Sequence, residues 1–315
     1  MQSHPREAQS TRTVVMVRPA RFAANPQTLA SNAFQAAGAA ASEHAAIAEF
    51  DGVVAALRAA RIEVRSIDDT AEPHKPDALF PNNWFSTHAD GTVVLYPMCA
   101  PNRRAERRLD LFEMLRHDGF VCHRLVDLST HELDGRFLEG TGSLVLDRPR
   151  RVAYACRSPR TDPQLLEVWA AELGYRVVAF DATDSAGRAI YHTNVMLCVG
   201  SGWALACLDA IRDPGQRAAL VAELRFGGRE LIEIDLAQLA GFAGNMLELA
   251  APDGPLVALS DRAAQTLRTE QRAALARHAR LVAVPVPTIE TAGGGGVRCM
   301  LGEVFLPRAE GRSDG

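Results

Sequence analysis

Near its C-terminus the chain reads Gly293-Gly294-Gly295-Gly296-Val297-Arg298-Cys299-Met300. Four glycines open backbone conformations closed to other residues and let another molecule come close to the main chain. A cysteine delivered directly after such a loop is a candidate nucleophile. The adjacent Arg298 favours thiolate over thiol, and thiolate is the reactive form. Free cysteines are more often buried apolar fillers, so chemistry at Cys299 depends on what else reaches the same place. Four further polar clusters are available: Pro81-Asn82-Asn83-Trp84, Leu138-Glu139-Gly140-Thr141-Gly142, Tyr191-His192-Thr193-Asn194 and Gly244-Asn245. His88, His117, His123 and His131 have no comparable context.

The elements around these clusters repeat. Ile47, Phe50, Val54 and Leu57 fall at helical spacing, and amphipathic helices are predicted near Glu106–Arg116, Pro163–Leu173, Pro214–Leu224 and Asp261–Ala276. Each is followed by a short apolar run that reads as a strand: Ile62–Ile67, Phe120–Val126, Tyr175–Phe180, Glu230–Ile234 and Leu281–Val284. Further strands precede the helices, clearest at Thr92–Tyr96, Ser143–Leu146 with Val152–Ala155, Asn194–Val199 with Ala204–Cys207, and Met246–Ala250 with Leu256–Leu259. The order strand, strand, helix, strand thus recurs about five times, at a period of roughly 50 to 60 residues. Val14–Arg18 opens the first unit, and Met300–Leu306, with no helix after it, can pair with that strand and close a ring. Each polar cluster sits at or just before the first strand of a unit, and Arg298-Cys299 holds the same place before the closing strand. Closure would bring residues from more than half of the chain to one central site.

Composition is that of a globular protein: 315 residues, 47% hydrophobic and 23% charged. A formal net charge of −4 gives no electrostatic reason to expect nucleic acid or an anionic membrane as partner. No stretch approaches the length of a membrane span, and the polar N-terminus lacks the apolar core of a signal peptide. Residues 1–12 are expected to be a disordered tail and 13–310 a single catalytic domain. Six separated cysteines, with no CxxC and no zinc-like pairing with histidine, read as reduced thiols of a cytoplasmic protein. No metal is expected.

Together these clusters resemble the pentein superfamily of guanidino-group-modifying enzymes, over about Val14 to Pro307. Met16-Val17-Arg18-Pro19, Phe80-Pro81-Asn82-Asn83-Trp84 and the glycine–cysteine segment are most similar to its citrulline-utilization hydrolase (citrulline ureidase) branch. The resemblance implies an α/β fold, a five-bladed α/β propeller of strand-strand-helix-strand units about a pseudo-fivefold axis, in agreement with the repeat. It implies Cys299 as nucleophile, His192 as acid–base and Glu139 as the carboxylate steadying the imidazole, with no cofactor. Histidine suits that role because it titrates near neutrality. Relatives carry an acid, two glycines and an aspartate where this chain has Glu139-Gly-Thr-Gly-Ser143, so the second acid is missing. Arg160, in Ser158-Pro159-Arg160-Thr161, and Arg103, in Pro101-Asn102-Arg103-Arg104, resemble the family's arginines for an amino-acid carboxylate, with Arg104 an alternative to Arg103.

Arginine deiminase carries aspartates at the positions of Asn83 and Asn194. An amide offers one acceptor and two donors but no counter-charge for a guanidinium. The resemblance therefore implies a neutral ureido substrate, citrulline, oriented by Asn83 and Asn194 with Asn82 and Asn245 nearby. It would be cleaved through a carbamoyl-cysteine to ornithine, ammonia and carbon dioxide. Arginine dihydrolase or deiminase, amidinotransferase, and a non-catalytic amino-acid sensor are the rival readings. The expected partner is a small amino-acid substrate; homo-oligomerisation stays open.

Overall fold

The computed structural model describes residues 7–36 and 42–309. From the N-terminus come β1 (Thr13–Arg18), α1 (Glu43–Ala59) and β2 (Glu63–Asp68). A second unit holds β3 (Phe85–Thr87), β4 (Thr92–Leu95), α2 (Asp110–His117) and β5 (Arg124–Asp127). The third comprises the short α3 (Gly140–Ser143), β6 (Val145–Asp147), β7 (Val152–Cys156), α4 (Pro163–Leu173) and β8 (Arg176–Phe180). The fourth has β9 (Leu197–Val199), β10 (Trp203–Ala206), α5 (Pro214–Leu224) and β11 (Glu230–Glu233). The fifth has α6 (Leu236–Ala240), β12 (Leu247–Ala251), β13 (Gly254–Ser260), α7 (Asp261–Thr266), α8 (Thr269–Ala276) and β14 (Arg280–Val284). The chain ends with α9 (Pro287–Gly293) and β15 (Gly302–Val304).

The strands form five three-stranded sheets of one design. In each, the central strand pairs antiparallel with one neighbour and parallel with the other, as β4 does with β3 (Ser86 opposite Val94) and β5 (Val94 opposite Val126). A parallel pair needs a crossover, and the unit's helices supply it. In the first sheet β15 fills the antiparallel place, with Val14 opposite Glu303, so the last strand closes the ring onto the first. This is the five-bladed α/β propeller of the penteins. Neighbouring sheets meet through β15 and β3, β6 and β9, and β9 and β12.

Local sequence explains the element ends. Asp162 and Asp213 cap α4 and α5 through side-chain bonds to Leu165 N and Gln216 N, each with proline in the first turn, and Gly174 ends α4 at φ 65°. The helix expected over Asp261–Ala276 is instead two, because Leu267 and Arg268 turn extended between them. The one expected over Glu106–Arg116 begins only at Asp110, Glu106 belonging to a preceding 3₁₀ turn, Pro101–Glu106. The strand over Phe120–Val126 shortens to β5.

The N-terminal expectation is also modified. Residues 1–6 lie outside the described ones, but residues 7–12 are anchored rather than free. Buried Glu7 receives Tyr175 Oη at 2.9 Å and Arg148 Nη1 at 3.2 Å, and Gln9 Nε2 donates to Leu146 O and Val199 O, both at 2.9 Å. No helix among the described residues is long and apolar enough to cross a membrane.

Candidate active site

Five turns, one before the first strand of each sheet, face the centre of the ring. They are Pro81–Asn83 before β3, α3 before β6, Thr193–Val195 before β9, Gly244-Asn245 before β12 and Val297–Met300 before β15. Residues far apart in the chain meet because equivalent turns of a closed ring share one axis.

His192, Arg160, Arg103, Asn83 and Cys299 line one narrow pocket there. Glu139 is fully buried behind it and bonds His192 Nε2 at 2.8 Å. Its other partners are Arg160 Nη1 at 3.2 Å and the Cys99 backbone N–H at 3.0 Å. Burial opposes ionisation of Glu139, but the Arg160 charge and the His192 bond outweigh it and hold the carboxyl far below its ordinary range. Burial pushes His192 the other way, down to about 4, against the pull of Glu139. The resting imidazole is therefore neutral, beside an ionised carboxylate. Ser143, at the end of α3, donates to Arg160 O at 2.8 Å and accepts from Glu139 N at 3.0 Å. It braces both residues without adding charge.

Cys299 is 4% exposed, and its Sγ lies 3.3 Å from Asn245 Nδ2 and 3.7 Å from Asn194 Nδ2. These two amides thus hold the sulfur, whereas the resemblance points Asn194 at substrate. The expectation for Arg298 holds in direction but not in weight. Neighbours on a 3₁₀ turn point about 120° apart, so Arg298 faces away and donates to Glu303 Oε2 at 2.7 Å and Leu301 O at 3.0 Å. Its charge does favour the thiolate, as do the amide bonds, yet burial dominates and raises the Cys299 pKa. Burial thus favours the thiol over the thiolate in the resting site.

Asn83 Oδ1 accepts from Arg103 Nη1 at 2.9 Å, while its Nδ2 is buried without a partner. Asn82 is wholly buried; Thr141 Oγ1 donates to its backbone carbonyl, and neither amide atom has a partner. Of the two candidate arginines, Arg103 faces the pocket. Arg104 Nε donates to Met98 O and pairs with Glu132. Both pocket arginines are already engaged: Arg103 by Glu106 at 2.9 Å, Arg160 by Glu139 and by Ser31 Oγ at 2.7 Å.

Three contributors escape a reading of the sequence. Asp77 lines the pocket fully buried; Asn25 Nδ2 donates to its Oδ2 at 2.7 Å, whereas Oδ1 has no partner. Its place six residues before Asn83, leading into the same turn, is the available signal. Tyr191 donates to Gly294 O at 2.7 Å and lies against the His192 ring, 4.6 Å between centroids, tying imidazole to glycine loop. The segment around Asn25, Thr28, Ser31 and Asn32 covers the pocket, with Asn32 Nδ2 bonded to Gly293 O and Gly294 O.

Fold and site together define a member of the pentein superfamily of guanidino-modifying enzymes. Residues 18–306 match the model of the eukaryotic N,N-dimethylarginine dimethylhydrolase family, and the chain belongs to that family. No curated protein matches by sequence search. Among solved structures, the apo arginine dihydrolase ArgZ of the cyanobacterial ornithine–ammonia cycle superimposes with TM-score 0.73 at 18% identity, covering 95% of this chain and 41% of that one. The present chain therefore spans less than half of that relative. Against the substrate-bound N-terminal domain of ArgZ the TM-score is 0.72 at 18% identity, covering 92% of this chain and 97% of that domain. A dimethylarginine dimethylaminohydrolase adduct with S-methyl-L-thiocitrulline gives 0.65 at 15% identity, covering 93% and 99%.

Proposed function

We propose that the protein hydrolyses citrulline at the ureido C–N bond, giving ornithine, ammonia and carbon dioxide. The observation that carries this reading is the ring of amides at the nucleophile: Asn245 and Asn194 beside Sγ, and Asn83 with an unpartnered buried Nδ2 in the pocket. Amide N–H groups can donate to a ureido carbonyl. They offer a guanidinium no counter-charge, and the pocket's carboxylates are already faced by arginines.

The chemistry then uses each group in turn. The α-ammonium meets the free oxygen of Asp77, and the α-carboxylate displaces Ser31 from Arg160. Cys299 passes its proton to neutral His192 as Sγ bonds to the ureido carbon. His192, its charge stabilised by Glu139, returns that proton to the ornithine nitrogen as the C–N bond breaks. A carbamoyl-cysteine remains. His192 then takes a proton from water, whose oxygen bonds to the carbonyl carbon, and returns it to Sγ as the C–S bond breaks; the released carbamic acid decomposes to ammonia and carbon dioxide. One hard hydrolysis becomes two easier steps.

Arginine is the second reading. Its support is the likeness to ArgZ, an arginine dihydrolase, and the three carboxylates Asp77, Glu106 and Glu139 around Arg103 and Arg160. Burial first, then neighbouring Asp77 and Glu139, pushes Glu106 up to about 7 against Arg103; once ionised it leaves an excess negative charge suited to a cationic substrate. Purified protein incubated separately with citrulline and arginine, with Cys299→Ala as control, decides between them. Ornithine with one ammonia from citrulline, and inert arginine, is expected. Ornithine with two ammonias from arginine makes it a dihydrolase, and accumulating citrulline a deiminase.

A further inference from the structure

Behind the glycine loop lies a buried acid that the reaction does not use. Glu290, on α9, is 1% exposed, and its Oε1 has no hydrogen-bond partner. Asn245 Oδ1 is likewise buried and unpartnered. The orientation of that amide is fixed, because Asn245 Nδ2 donates to Asn194 O at 3.1 Å as well as facing Cys299 Sγ. The two lone oxygens flank Gly296: a Cβ there would stand 2.7 Å from Asn245 Oδ1 and 3.5 Å from Glu290 Oε1. Only glycine leaves that space open. Two acceptors facing one gap lack a donor between them, and an unpaired buried acceptor is costly.

We propose that Glu290 is a positioning residue that works as the neutral acid, its O–H donating to Asn245 Oδ1, directly or through one water, so that Asn245 Nδ2 is held against Cys299 Sγ. The chain of contacts runs Glu290, Asn245, Cys299, and it goes beyond the substrate reading because it concerns the nucleophile alone. The surroundings favour the neutral form. Burial raises the Glu290 pKa to about 7, Glu49 and Asp261 push the same way, and Ser260 and Arg262 oppose. Glu49 is held by the Thr288 and Ile289 N–H groups at 2.9 and 3.0 Å, and Arg262 donates to Ala240 O. An outer groove reaches Glu290 between Asp261 and Pro287, giving its proton a path to solvent. Ionisation replaces the donor by a third acceptor charge and releases Asn245.

Alkylation of Cys299 by iodoacetamide, followed by mass spectrometry from about pH 5.5 to 9, reads this without any substrate. In the wild type the rate constant should depart from a single thiol titration, with an inflection near the Glu290 transition. Glu290→Gln, whose amide NH₂ remains a donor at every pH, should remove that inflection. Gly296→Ala, which fills the gap and displaces the Asn245 amide that favours the thiolate, should lower the alkylation rate at a given pH, as Glu290 ionisation does. The turnover profile on whichever substrate proves active should show the same pattern: Glu290→Gln retains activity above about pH 8, where the wild type falls several-fold. Superimposable wild-type and Glu290→Gln alkylation curves overturn the proposal, whatever the substrate assays give. An inactive protein whose curves differ as described leaves it standing and rejects the citrulline reading instead.

Discussion

Gly142 supports the sharpest forecast from the geometry. Its Cα faces two site residues, so a Cβ there would stand 2.4 Å from Asn83 Nδ2, 2.7 Å from His192 Nδ1 and 2.8 Å from His192 Cε1. These separations are roughly 1 Å inside van der Waals contact. Neither neighbour can yield freely. His192 is tied to Glu139 at 2.8 Å, and Asn83 to Arg103 at 2.9 Å, itself bound to Glu106. Gly142→Ala must therefore move the imidazole, the amide or the turn that carries Gly142.

A displacement of about 1 Å at a reacting group costs on the order of 100-fold in rate, close to about 2.7 kcal/mol of barrier. Overpacking of this kind costs about 1–3 kcal/mol of stability. The assay is kcat/KM on the active substrate beside thermal unfolding, with Gly52→Ala as reference. Gly52 lies inside α1 with nothing within 4 Å of the place an alanine methyl would take, and alanine there should stabilise by up to about 1 kcal/mol without touching turnover. A Gly142→Ala enzyme within about three-fold of wild type would refute the argument that His192 and Asn83 are wedged against this backbone.

Arg298→Ala tests the correction at the nucleophile. It strips Glu303 of its 2.7 Å partner, leaving Arg148 at 3.7 Å, and should destabilise by about 3 kcal/mol in denaturant unfolding. Cys299 alkylation at fixed pH should change only a few-fold, since burial rather than Arg298 dominates its thiol. Acid sensitivity tests His192. Its folded pKa, about 4, lies below the usual 6.5, so between those values the unfolded chain binds the extra proton and stability drops as pH falls. The stability advantage of wild type over His192→Asn should therefore shrink from pH 6.5 towards 4, and a pH-independent difference would contradict a neutral buried imidazole.

Where the residues themselves enforce local geometry, the sequence is legible. Pro163–Leu173 is found with its predicted ends because Asp162, Pro163 and Gly174 each act within one turn of the backbone. The closing pair of strands is legible for another reason: an apolar run without a following helix has no partner except the opening strand. What fails to show is direction. Arg298 adjoins Cys299 in sequence, yet the 3₁₀ turn sends its guanidinium to Glu303. Asn194 sits in a cluster that points to substrate, yet its Nδ2 is turned to the sulfur. Asp77 signals itself only by its place before the Asn83 turn, because a lone aspartate before Ala-Leu-Phe-Pro has no chemistry until Asn25 and Arg103 are folded against it.

The same geometry gives a reason for the site to react only when it is occupied. Its arginines are paired internally, Arg160 with Glu139 and Arg103 with Glu106, and burial favours the neutral forms of His192 and Cys299. Such a site attracts no nucleophile or proton on its own. A zwitterionic amino acid can exchange these contacts one for one, its carboxylate for Ser31 at Arg160 and its ammonium for the missing partner of Asp77 Oδ1. Binding then adds no net charge to a buried space, which spares the desolvation penalty of an uncompensated ion. In the proposed reaction, proton transfer from Cys299 to His192 would separate charge only once the reacting carbon is in place and Glu139 can stabilise the imidazolium. A thiol held neutral until that moment is shielded from oxidants and adventitious electrophiles, which attack thiolates. The amides at Asn194 and Asn245 serve the next state: their N–H groups, donating to sulfur, stabilise the thiolate against the burial that opposes it.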